Sequence, residues 1–127
     1  MPVKVTPPGA AEAHKVTGHA GALFSRADIL LTDLQTADCS TDQMAPLPAW
    51  AGNMLAQTRL LMDTDLSRDP ETRALLQDLE LVLARVASLR PGDCGADVKR
   101  IREDLRSKGT VDRLRLAGGA TVDPRSL

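Results

Sequence analysis

The sequence predicts an all-α fold: an antiparallel bundle of three main helices, with one or two shorter C-terminal helices and flexible tails. Three observations carry this expectation. Apolar residues recur at i, i+3, i+4, i+7 spacing through most of the chain. One strongly periodic segment is bracketed by Asp69-Pro70, a helix-start signal, and Pro91-Gly92, a helix-stop signal. Aromatic residues are only 2% of the 127 residues, too few for a β-sandwich, in which aromatic and β-branched residues dominate.

The first helix is expected from about Gly21 to Ala37, where Leu23, Phe24, Ala27, Leu30, Leu31 and Leu34 form one stripe. Residues 1–18 read as a tail, because proline and glycine interrupt them and no periodicity emerges. A loop spans Thr36 to Pro48. The second helix starts near Pro48, which suits a first turn, and carries Ala51, Met54, Leu55, Thr58, Leu61 and Met62. A polar linker, Asp63 to Ser67, turns the chain into the third helix. There Asp69 is the N-cap, Pro70 the first helical residue, and Glu71 favours the positive end of the dipole.

Leu75, Leu76, Leu79, Val82, Leu83 and Val86 form the stripe of that third helix, and Leu81 and Leu89 widen it. Contact on more than one side makes it central. Arg90 sits in its last turn. The fourth helix covers about Ala96 to Lys108 on a thin stripe of Val98, Ile101 and Leu105, with Gly109 as its C-terminal cap. Thr110 then caps a short fifth helix carrying Val111, Leu114 and Leu116. The single domain is thus 19–117, and 118–127 is a second tail.

Lys and Arg number 16 and Asp and Glu 17, without the basic excess of a general nucleic-acid or anionic-membrane binder. The near absence of aromatics argues against base-stacking platforms and aromatic cages. No apolar run approaches the roughly 18 residues of a membrane span. Residues 1–18 lack the apolar core of a signal peptide.

The sequence offers neither a catalytic set nor a cofactor site. His14 and His19 are five residues apart and do not share a helix face. There is no C-x-x-C and no H-E-x-x-H, so no metal is expected. No G-x-S-x-G is present, and Gly118-Gly119 is no phosphate loop. Asp63 and Asp65 lie in a linker, while Asp78 and Glu80 point to different sides of a helix. Asp78 reads as an edge carboxylate or as the ion-pair partner of Arg85 or Arg59. One cluster stands out as a candidate interaction surface: Lys99, Arg100, Arg102, Arg106, Arg113 and Arg115, together with Lys108. Asp97, Glu103, Asp104 and Asp112 are interleaved, which reduces it toward a solvated face, with Lys99–Glu103 attracting and Arg102–Arg106 repelling.

Several stretches resemble a known family. Trp50-Ala51-Gly52, Thr58 to Asp63, Asp69-Pro70 and Leu75 to Leu83 resemble the helical C-terminal region of bacterial membrane-anchored, zinc-finger-type anti-sigma-factor-like proteins. Phe24 to Leu31 is similar to a preceding helix there, and Ile101 to Leu105 with Leu114-Arg115 to its end. The similarity spans roughly Leu23 to Leu116 and rests on helix packing rather than chemistry. It implies an extracytoplasmic location and a non-enzymatic sensory domain that acts in transcription regulation through a protein partner. The family's H-x3-C-x2-C zinc segment and its membrane helix are absent, so sigma-factor binding does not carry over. The alternative expectation is a cytoplasmic stand-alone regulator that binds nucleic acid or an acidic protein through the basic helices around 99–115. A structural homodimer is the third option.

An up-down-up order of the first three helices places Cys39 and Cys94, which follow the first and third, at one end of the bundle. They are either two thiols or, in an oxidising compartment, one disulfide, which contributes about 4 kcal/mol in the loop-entropy description. Alkylation of non-reduced, oxidised protein followed by intact-mass measurement is expected to show no labelled thiol if the bridge forms. Two labelled thiols would exclude it.

Overall fold

The computed structural model describes residues 8–37, 44–90 and 95–119, with 8–17 and Gly119 as backbone alone. Among them the chain is all-α. Its helices are α1 (Pro8–Thr36), α2 (Leu47–Met62), α3 (Pro70–Ala87), α4 (Ala96–Lys108) and α5 (Thr110–Gly119). A 3-10 turn, Asp65–Arg68, joins α2 to α3.

Each boundary has a local cause. α1 begins at Pro8 rather than Gly21, so residues 8–18, expected as a tail, are helical backbone. Proline suits a helix start, and Ala10, Ala11 and Ala13 are strong helix formers. Gly9 and Gly18 each cost about 1 kcal/mol against alanine and do not stop the helix. α3 is capped as expected: the Asp69 carboxylate accepts hydrogen bonds from the backbone N–H of Thr72 at 3.0 Å and from its hydroxyl at 2.7 Å. Those two bonds, the hydroxyl's first, hold the Asp69 carboxyl below its ordinary value. α3 ends at Ala87, before Arg90, because the chain unwinds ahead of Pro91. Gly109 closes α4 in the left-handed region (φ 59°, ψ 32°), where a side chain is penalised, and lets α5 start at once.

The core is aliphatic apart from Phe24. It takes Leu23, Leu31 and Leu34 from α1, Leu47 and Ala51 from α2, Leu76, Leu79, Leu83 and Val86 from α3, Val98 and Ile101 from α4, and Leu114 from α5. Thr58 is fully buried, and its hydroxyl donates to the Met54 carbonyl at 2.7 Å, which meets the polar demand inside the core. Leu81 and Leu116 depart from expectation: they are 53% and 76% exposed.

The closest pairings are α2 with α3, around the 3-10 turn, and α1 with α5. Named contacts fix the directions. Arg115 of α5 meets Asp28 and Gly118 meets Ser25, so α5 runs against α1. Arg85 meets Asp104 and Asp78 meets Arg113, so α4 and α5 both run against α3. The last two helices, jointed at Gly109, therefore both pack against α3, and α5 also lies along α1. Gly118, expected in a tail, is buried: a Cβ there would lie 2.8 Å from the Ser25 hydroxyl oxygen. Residues 120–127 lie outside the described residues.

Leu79 has no exposed surface. Leu79→Ala is expected to cost about 2–5 kcal/mol, read from the shift in the urea midpoint at unchanged slope.

Candidate interaction surface

The six candidate cations divide into two sets. Arg102 turns inward and is bound to the end of α1. Its Nε donates to the Leu34 carbonyl at 2.9 Å and its Nη2 to the Ala37 carbonyl at 2.7 Å. Leu34 lies in the last turn of α1 and Ala37 directly follows it, where carbonyls lack intrahelical donors. A guanidinium there satisfies two of them and complements the negative end of the dipole.

Arg113 and Arg115 are held by carboxylates. Arg113 Nη1 lies 2.6 Å from Asp78, and Lys108 reaches the other oxygen of that carboxylate at 3.9 Å. Arg115 Nε donates to both Asp28 oxygens, at 3.2 and 3.3 Å, while Thr32 donates its hydroxyl to the same carboxylate. Asp78 thus binds α5, and not Arg85 or Arg59 as its neighbours on the sequence suggested. Arg85 pairs with Asp104, and Arg59 with Glu80 at 3.4 Å. The anticipated Lys99–Glu103 pair does not form.

Lys99, Arg100 and Arg106 remain exposed on α4 and make no ion pair with a described residue. Glu103 stands among them at i+4 from Lys99 and i−3 from Arg106, which weakens their joint field. The basic cluster is therefore a set of struts in one half and a diluted surface in the other.

Arg100 lines the more notable feature, an open groove of about 660 Å³ between α3 and α4. Leu81, Ala84, Leu89 and Ile101 supply its apolar part. Arg85 and Asp104 bridge it as an ion pair, and Asp97 and Glu103 stand on the α4 side. Leu81 lies off the α3 stripe toward this groove, which is why its side chain stays half exposed. Ser88 is committed internally, its hydroxyl donating to the Ala84 carbonyl at 2.9 Å. Among the described residues the lining holds no histidine or cysteine. Its chemistry is that of a contact surface: apolar floor, charged edges, a slight acidic balance. The groove is hidden in the sequence, where Leu81 and Leu89 read as a widening of the buried α3 stripe. The available signal is the offset of Leu81 from the 75-79-82-86 line; Leu89 continues that line but falls beyond the end of α3.

His19 is exposed, and no group of three or more metal-ligating side chains occurs among the described residues. His14 falls where only backbone is described. Cys39 and Cys94 lie outside the described residues. No described helix is long and apolar enough to cross a membrane.

Arg102→Met keeps most of the side-chain stem and removes the donors. It is expected to lose about 1–3 kcal/mol, seen as a lower urea midpoint, with Arg102→Lys falling between.

Comparison of the chain with family models, with curated proteins and with solved structures returned no match.

Proposed function

We propose that this chain is a non-enzymatic protein-interaction domain that docks an amphipathic helix of a partner protein in the groove between α3 and α4. The observation that carries this reading is Leu81. It is a large aliphatic residue half exposed in mid-helix, beside Leu89 and Ile101 and edged by charge. An apolar floor with a polar rim is the pattern of helix-in-groove recognition. The lining carries two cations, Arg85 and Arg100, against Asp97, Glu103 and Asp104. It therefore favours a helix whose apolar face is flanked by basic residues.

The resemblance to the extracytoplasmic helical region of anti-sigma-type regulators supports a sensory role for the same domain. In that role the partner's arrival or release would be the signal. A sigma-factor gene adjacent to the coding gene would favour that pathway.

A photoreactive amino acid at position 81 identifies what occupies the groove, with one at exposed Arg73 as the control. The partner so identified, purified, is expected to bind at least tenfold more weakly to Leu81→Glu, a loss of about 1.4 kcal/mol or more, with the melting temperature preserved. Equal binding by Leu81→Glu would remove the groove from the function.

A further inference from the structure

A second exposed face lies away from the groove, along α1 and α2. On α1, Ala22, Arg26, Ile29 and Asp33 are spaced 4, 3, 4 and share one stripe. On α2, Trp50, Asn53, Gln57 and Leu60 are spaced 3, 4, 3. Arg26 Nη2 donates to Gln57 Oε1 at 2.6 Å, which sets the two stripes level with each other. The helices run in opposite directions, since Leu60 and Leu61 stand by His19 and Ala22 at the far end of this face. Asp33, seven residues on from Arg26, is therefore level with Trp50, seven residues back from Gln57.

This face holds three of the most exposed large apolar side chains of the described residues: Ile29 at 62%, Trp50 at 50% and Leu60 at 69%. It also holds one cation and one anion. Among the described residues Arg26 has a hydrogen-bond partner but no carboxylate, and the exposed Asp33 side chain makes no hydrogen bond or ion pair.

Ile29 lies between them, three residues from one and four from the other. A two-fold axis at the level of Ile29, perpendicular to the helices and in the plane of contact, sets α1 antiparallel on α1 of a second copy. Arg26 of each copy then meets Asp33 of the other, twice, at either side of an Ile29–Ile29 contact. An isologous interface demands this reciprocity. The other two-fold arrangement, with the axis along the helices, lays Arg26 over Gln57 and Asp33 over Trp50 and pairs no charge. The placement of the two charges selects the first.

We propose that two copies of this chain associate through this face, with Ile29 at the centre, reciprocal Arg26–Asp33 pairs beside it, and Trp50 and Leu60 covered at the flanks. Aromatic and aliphatic anchors inside a charged register are what such a contact needs. The two ion pairs stand about 10 Å apart along α1, from the rise of 1.5 Å per residue, and salt weakens them.

Sedimentation velocity of the full chain, kept reduced so that no disulfide links copies, tests this from ~1 µM to ~1 mM, the range of a weak contact. The expected result is a reversible monomer–dimer shift. Ile29→Glu and Arg26→Asp should each weaken it at least tenfold, and the double variant Arg26→Asp with Asp33→Arg should restore it, because the swapped charges again face each other. Circular dichroism melts show that each variant is folded, and Leu81→Glu should dimerise as the natural chain does. A monomer at every concentration, a dimer indifferent to Ile29→Glu, or a double variant no better than Arg26→Asp alone would each overturn the proposal.

Discussion

The attachment of Arg102 to the last carbonyls of α1 is the contact on which the second half of the fold depends. α4 buries only Val98, Ile101 and Leu105 and is otherwise polar, so hydrophobic burial holds it weakly. Its register comes instead from a guanidinium that must meet two carbonyl oxygens at once. Once α4 is set, Gly109 turns the chain, and α5 is delivered to α1 and α3. There Asp28 and Asp78 receive Arg115 and Arg113.

Individual helices were legible because their periodicity and end signals agreed. Asp69-Pro70 and Gly109 act where their chemistry says they should, and the stripe from Leu75 to Val86 is buried residue for residue. The arrangement of those helices was less legible. Nothing local in Val111 or Leu114 says that α5 will lie close against α1, a pairing in which Arg115 meets Asp28 and Gly118 fits tightly beside Ser25. The start of α1 is illegible because glycine and proline in residues 1–18 read as breaks, while the alanines between them favour helix.

The candidate surface was half legible. Clustering of Lys and Arg around α4 and α5 is visible in the chain, but sequence separation hides which carboxylate each will meet. Asp28 and Asp78 lie 87 and 35 positions from their arginine partners. A cation bound to a distant carboxylate is indistinguishable, in sequence, from one left for a ligand. Exposed apolar residues pose the converse difficulty. Leu81 looks like core until the packing leaves it half exposed, and Ile29, off the α1 stripe, gives no sign in sequence of what it faces.

Trp50 has a consequence for how this molecule reports on itself. With no tyrosine in the chain, nearly all of its near-ultraviolet absorbance and emission belong to one indole. That indole is half exposed on the outer edge of α1 and α2 rather than inside the core. Its emission therefore records the polarity over that edge. Loss of core packing around Leu79 changes it little, and whatever excludes water from Trp50 shifts it to shorter wavelength. The fluorophore of this domain is placed to sense its surroundings, and its folding is better followed through the backbone.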